Sequence, residues 1–156
     1  MQSGNEQFLT TRWTLILEAA GDPGDGKQHA LEEFCLDYWK PVYAYVRRHG
    51  YDHESAGDLT QGFFARLLEK DWLAGVENNG TPFRAFLLVV LKRYLAGAYR
   101  KDHAVKRGGM TKIASLDWSK APIVDTTQTP DEAFDLHWAL SAIDLAIARL
   151  RAEAEA

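Results

Sequence analysis

The sequence of this 156-residue chain predicts an all-α protein: a compact helical bundle followed by a linker and one C-terminal helix. Three observations predict this fold class. Helix-start signals, the pair Thr81-Pro82 and the capping box at 129–132, precede two apolar runs. Both runs repeat their apolar residues at helical spacing. No stretch shows the alternation that is typical of a strand.

Composition narrows the class of protein further. Hydrophobic residues make up 46% of the chain, and five Trp, six Tyr and seven Phe predict an aromatic-rich core. At this length the chain is one domain, with or without a tail. A single cysteine, Cys35, excludes an internal disulfide and a cysteine-based zinc site. No apolar run approaches membrane-spanning length and no signal peptide is visible, so we expect a cytoplasmic protein without membrane contact.

The first half of the chain predicts three helices. Thr10 or Thr11 is expected to cap a short helix that ends at Gly21. A second helix is predicted from near Gln28, with a kink or a break at Pro41 because proline removes one backbone hydrogen bond. Its buried side is predicted to carry Leu31, Phe34, Cys35, Tyr38, Val42 and Tyr45.

The third helix is predicted to begin at an Asp52 cap and to have two contrasting faces. Its apolar face carries Ala56, Leu59, Phe63 and Leu67. Its other face is acidic, small and flat, and carries Glu54, Ser55, Asp58, Gln61, Gly62, Ala65 and Glu69. An ordinary solvated face would have the same composition, so the residues alone leave its role open. Residues 70–80 are predicted to form a loop in which Trp72 and Leu73 plug the core.

The longest predicted helix runs from Pro82 to Arg107 and would extend roughly 40 Å. Its core stripe is predicted to be Phe83, Leu87, Val90, Tyr94 and Ala98. Residues 83–109 carry a net charge of +6, whereas the rest of the chain carries −10. Cations with an interleaved tyrosine suit a nucleic acid, because the cations meet phosphate and the ring meets a base. A solvated basic helix end is the alternative interpretation.

The C-terminal helix, which follows a linker at 110–128, is predicted to have two apolar stripes. One consists of Phe134, Trp138 and Leu145. The other, which we call the outer stripe, has nearly heptad spacing and consists of Leu136, Leu140, Ile143, Ile147 and Leu150. A helix that is apolar on two sides needs two partners, so we expect the outer stripe to meet a second copy or a domain that this chain lacks. Within the linker, residues 114–118 and 122–125 are possible local anchors.

Signals for catalysis are weak. The five histidines are widely spread, and the sequence has no HExxH, Walker or GxSxG motif. We therefore predict no enzyme activity, no cofactor and no metal ion. A small helical hydrolase with a dispersed site is left as an alternative.

Three segments, in this order, resemble the sigma-70 family of RNA polymerase sigma factors, particularly the extracytoplasmic-function type. The start of these proteins is similar to two stretches of this chain, TRWTLILEA and ALEEFCLDYWKPVYAYVRRHGY. AGDLTQGFFARLLEKDWL resembles the DLxQExF segment of region two, and FRAFLLVVLKRYLAGAYRKDHAVKRGG resembles the segment that follows it. The likeness covers roughly residues 11–110. PDEAFDLHWALSAIDLAIARL is similar to the lead-in to region four.

The resemblance implies a protein that acts by binding. Region two of the family is a helical bundle that docks on the β′ clamp helices of core RNA polymerase, captures a flipped base of the promoter minus-ten element and supports strand opening. It implies polymerase-binding residues at Asp58, Leu59, Gln61, Phe64 and Arg66. It implies DNA-binding residues at Trp72, Asn78, Asn79, Arg84, Lys92, Arg93, Tyr99, Arg100, Lys101, His103, Lys106 and Arg107. An anti-sigma factor is a further partner that the family allows.

Two departures from the family pattern stand out. Gly62 occupies the place of the family's glutamate. Region four is missing, so residues 129–156 are expected to be a separate C-terminal helix after a domain at 8–109. Two rival functions follow from the same residues. One is a helical protein-interaction module whose basic helix binds an acidic partner. The other is a non-specific nucleic-acid binder.

Overall fold

The computed structural model describes residues 25–69, 83–101 and 116–155 of the chain. These residues form four α-helices, one short 3₁₀-helix and no strand, so the all-α prediction is confirmed. The helices are α1 (Asp25–Arg48), α2 (His53–Glu69), α3 (Phe83–Lys101) and α4 (Pro130–Glu155), and the 3₁₀-helix is Trp118–Lys120. The predicted first helix and the loop at 70–80 lie outside the described residues.

Of the predicted kink or break at Pro41, the break is wrong, because helix α1 runs through Pro41 without interruption. Pro41 is buried, and buried side chains of the core precede and follow it along the helix. Proline inside a helix costs ~3 kcal/mol, but burying one large apolar side chain stabilises by about 1.5–3 kcal/mol. The core residues on both sides of Pro41 therefore offset the lost hydrogen bond.

The core is a cluster of aromatic rings to which all four helices contribute. The Phe34 ring of α1 meets Phe64 of α2 at 5.8 Å and Phe83 of α3 at 5.7 Å, both edge to face. Trp138 of α4 stacks on Tyr38 of α1 with 4.8 Å between ring centroids. Edge-to-face and offset-stacked rings are the favoured geometries of aromatic pairs. The expectation of an aromatic-rich core is thus met in the described residues.

The first half of α4, the predicted C-terminal helix, packs into this same core. Phe134 lies beside Tyr45 of α1, with ring centroids 6.3 Å apart, and Phe134 is fully buried. The Arg48 side chain at the end of α1 donates a hydrogen bond of 2.6 Å to the backbone carbonyl of Gln128. Helix α4 therefore runs antiparallel to α1, with its start beside the end of α1.

The two stripes of α4 separate as predicted. Phe134 and Trp138 are buried and Leu145 is half-buried. The outer stripe remains exposed, with relative accessibilities from 41% at Leu136 to 65% at Leu150.

The two predicted helix caps that lie in the described residues, at Asp52 and Thr129, both form. The Thr129 amide donates to Glu132 Oε1 at 2.9 Å, and the Glu132 amide donates to Thr129 Oγ1 at 3.1 Å, which is a reciprocal capping box. At the start of α2 the Ser55 amide donates to Asp52 Oδ1 at 2.8 Å. Hydrogen bonds from Ser55 hold the pKa of Asp52 below its ordinary value.

The second half of the linker is anchored through Trp118. Its ring meets Trp39 edge to face at 5.0 Å and lies 6.2 Å from the Tyr43 ring. It also covers Gly57 of α2, where its carbons lie 3.5–3.6 Å from the place a Cβ would occupy. Of the two predicted anchors, 114–118 thus contributes Trp118, and 122–125 contributes Val124, which packs against the core.

We expect Gly57→Ala to stabilise the protein by roughly 0.5–1 kcal/mol. A methyl group at this position makes ordinary van der Waals contact with the Trp118 ring, and alanine is the better helix former. Urea denaturation of both proteins checks this. Gly57→Leu is the control, because its larger side chain has to displace the indole. A destabilising alanine would show that the ring cannot accept the methyl group.

Candidate protein-binding and nucleic-acid-binding surfaces

Helix α2 presents only part of the surface that the sequence predicted for binding a protein partner. Asp58 is exposed, and Leu59, Gln61 and Arg66 are half-buried. Phe64, in contrast, has 2% relative accessibility and meets Phe34 and Phe63 edge to face. Its side chain belongs to the core, so the assignment of Phe64 to a contact surface is wrong.

The small, flat face of α2 is also narrower than predicted. Gly62 and Ala65 are buried, whereas Glu54, Ser55 and Asp58 are exposed. Helix α2 packs on two sides, with Phe64 against α1 and Phe63 against Tyr94 of α3 at 5.6 Å. A helix with two packed sides retains a narrower solvent-facing strip than an amphipathic surface helix. The available surface is therefore the acidic first half of α2.

Three predicted DNA-binding cations on α3 have described side chains, and two of them form ion pairs with α4. Arg84 Nη1 donates to Asp135 Oδ1 at 2.6 Å, and Lys92 Nζ donates to Asp131 Oδ2 at 3.1 Å. All four side chains remain about half exposed. Arg93 is exposed and forms no ion pair with another described residue. The basic face of α3 is thus accessible to solvent but partly neutralised.

The core stripe of α3 forms as predicted wherever its side chains are described. Phe83, Leu87 and Val90 are buried, and Tyr94 is half-buried. Burial raises the pKa of Tyr94, and the charge of nearby Arg66 lowers it. The charge of Arg66 on α2 thus acts on a residue in the second half of α3.

The side chains of the remaining predicted DNA-binding residues lie outside the described part of the chain. The backbone of Tyr99, Arg100 and Lys101 is helical, but their side chains are not described. The others lie outside the described residues, namely Trp72, Asn78, Asn79, His103, Lys106 and Arg107.

The Lys92–Asp131 pair borders a cluster of titratable groups at the end of α1. The rings of Tyr45 and His49 lie 4.6 Å apart. Burial, and then the charge of Asp131, raises the pKa of Tyr45 to about 12. Burial lowers the pKa of His49, an effect that Asp131 opposes and Lys92 reinforces. The carboxylate of Asp131, which belongs to α4, is therefore close to both α1 and α3.

A second polar cluster ties α1 to the start of α2. Arg47 Nη1 donates to the Tyr43 hydroxyl at 3.0 Å, and that hydroxyl lies 2.8 Å from His53 Nδ1. Because the hydroxyl accepts from Arg47, its own hydrogen is available to His53 Nδ1. Tyr43 is buried, so this cluster satisfies a buried polar group. We interpret it as structural.

Reactive or metal-binding groups do not gather elsewhere in the described parts of the chain. Burial raises the pKa of the Cys35 thiol, which makes this cysteine a poor nucleophile. Across 25–69, 83–101 and 116–155, no three His, Cys, Asp or Glu side chains come together in a way that could hold a metal ion.

No protein-family model, curated protein or solved structure matches this chain. Among the described helices, none combines the length and the apolar character needed to cross a membrane.

Proposed function

We propose that this chain is a cytoplasmic sigma-type transcription factor that binds core RNA polymerase through α2 and the promoter minus-ten element through α3 and the predicted loop at 70–80. One observation supports this most. The two segments that resemble sigma region two form helices that contact each other through Phe63 and Tyr94. Each helix also presents a predicted contact residue to solvent, Asp58 on α2 and Arg93 on α3.

The charges of the two helices suit two different partners. Exposed acids on α2 complement a basic protein surface, and such charges set specificity and association rate. The cations of α3 suit the phosphates of a single strand. Extracting a base from the duplex costs a few kcal/mol, so recognition of the minus-ten element needs polymerase binding as well. Two partners of opposite charge agree with a protein whose net charge is −4 but whose positive charge is concentrated in residues 83–109.

Substitutions in the predicted base-capturing loop should separate recognition of sequence from attraction to charge. We expect Trp72→Ala to weaken binding of a minus-ten single strand about 10-fold or more in the presence of core polymerase, because stacking on an aromatic ring contributes ~1–3 kcal/mol per base. Asn78→Ala should weaken the same strand because it removes hydrogen bonds to the captured base. Binding of a scrambled strand should change little. Fluorescence anisotropy with both labelled strands measures this.

Arg93→Gln is the matched comparison for those two variants. It removes a phosphate contact, so it should weaken both strands equally and make the salt dependence shallower by about 0.7 on a log–log plot. An equal loss on both strands for Trp72→Ala and Asn78→Ala would contradict the proposal and favour non-specific nucleic-acid binding.

A second candidate function, a protein-interaction module with a basic helix, is favoured by the ion pairs between α3 and α4. Arg84 and Lys92 already bind carboxylates within this chain. On this alternative, an acidic peptide would bind α3 more tightly than a single strand of equal charge. Competition between a poly-glutamate peptide and an oligonucleotide distinguishes the two functions.

A further inference from the structure

Two carboxylates on successive turns of α4 face two cations on α3. Asp135 binds Arg84 and Asp131 binds Lys92, in the order expected of antiparallel helices. The 6.1 Å between the ring centroids of Phe83 and Trp138 supports the same orientation. The two ion pairs therefore form a row across the boundary between α3 and α4.

We propose that residues 131–135, which we call the acidic strap, occupy cations of α3 that would otherwise bind nucleic-acid phosphate and thereby limit the protein's affinity for DNA. This inference rests on the proposed function for the identity of the ligand. A guanidinium or ammonium group that donates to a carboxylate has fewer donors left for a phosphate oxygen. Phosphate must therefore displace Asp131 and Asp135 to use Lys92 and Arg84 fully.

The position of Asp135 in α4 indicates that its pairing with Arg84 is not explained by the preference of acidic residues for the first turn of a helix. An acid in the first turn, such as Asp131, favours the helix dipole without any partner. Asp135 lies beyond the first turn, where that effect has fallen off. The 2.6 Å ion pair with Arg84 therefore explains an acidic residue at position 135 better than the helix dipole does.

The strap opens by movement of side chains while the helix stays docked. Phe134 lies within the strap and has 0% relative accessibility, so lifting this turn of α4 would expose the core. The carboxylates themselves are about half exposed and can rotate into solvent. Exposed pairs of this kind are weak, so each should reduce DNA affinity about 2- to 5-fold. The strap therefore lowers the affinity for DNA without preventing DNA from binding.

The test compares two double variants of the full chain that change net charge equally. Asp131→Asn with Asp135→Asn removes both strap carboxylates. Asp144→Asn with Glu153→Gln removes two exposed acids of the same helix that form no ion pair with a described residue. The probe is fluorescein-labelled oligo-dT, measured by anisotropy over a range of salt concentrations.

We expect the strap variant to bind oligo-dT about 4- to 25-fold more tightly, with a log–log salt slope steeper by roughly 1.4, because two cations are released. The control variant should change affinity less than 2-fold. Equal gains in the two variants would attribute the effect to net charge and overturn the inference, as would an unchanged affinity in the strap variant. Asp135→Asn alone, which leaves the first turn of α4 intact, covers the case in which the double variant folds poorly.

A double-mutant cycle identifies the cations through which the strap acts. In an Arg84→Gln, Lys92→Gln background, the two strap substitutions should no longer raise affinity, because the groups they release are gone. A gain that persists there would overturn the inference. The outcome is separate from that of the proposed function, which depends on preference for the minus-ten strand over a scrambled strand with core polymerase. Loss of that preference would leave the oligo-dT result unchanged.

Discussion

Phe134→Ala is expected to destabilise the protein by about 3–5 kcal/mol, the usual cost of removing a large buried aromatic side chain. The Phe134 ring is fully buried between Tyr45 of α1 and Trp138 of α4, at 6.3 and 5.6 Å. Domains of this size have a total stability of about 5–15 kcal/mol, so the variant would lose a large share of it. Guanidinium denaturation followed by tryptophan fluorescence measures the loss.

Leu136→Ala is the matched control for Phe134→Ala. It lies two residues further along α4 but on the outer stripe, with 41% relative accessibility. We expect it to cost less than about 1 kcal/mol, because surface substitutions rarely cost more. Similar, small losses in both variants would contradict the placement of α4 in the core.

Asp58→Arg is expected to weaken binding to core RNA polymerase at least 30-fold, or about 2 kcal/mol. The Asp58 side chain is exposed on the acidic half of α2, so the substitution should leave the fold intact. Reversing a charge at an interface juxtaposes like charges, which costs up to several kcal/mol. Association of the labelled chain with core polymerase, followed by anisotropy, gives the dissociation constant.

Asp144→Arg is the matched control for Asp58→Arg. It makes the same charge reversal at an exposed position of α4, away from α2. It should leave polymerase affinity nearly unchanged. If Asp58→Arg also left it unchanged, α2 would not be the docking surface, and the protein-interaction module would become the better account.

Features encoded locally were predictable from the sequence. The capping box at Thr129 and Glu132 depends on four consecutive residues, and both of its hydrogen bonds form. The core stripe of α3 depends on the period of one helix, and its described members face the core. The exposure of the outer stripe likewise follows from the phase of α4, since it lies opposite Phe134 and Trp138.

Features that depend on more than one helix were not predictable in this way. Helical spacing assigns one buried side to α2, whereas Phe63 and Phe64 are both buried because two other helices flank it. The pairs Arg84–Asp135 and Lys92–Asp131 join residues 51 and 39 positions apart, and no local pattern links them. The acids at 131 and 135, one turn apart beside a buried aromatic residue, were the only local signal for these contacts.

We propose that this chain directs core RNA polymerase to the minus-ten element. The most direct test mixes the unmodified chain with core polymerase and measures binding of a labelled minus-ten single strand and of its scrambled counterpart. We predict a ternary complex that binds the minus-ten strand at least 10-fold more tightly than the scrambled strand, whereas core polymerase alone shows no preference. Equal binding of the two strands, or no association of the chain with polymerase, would contradict the account.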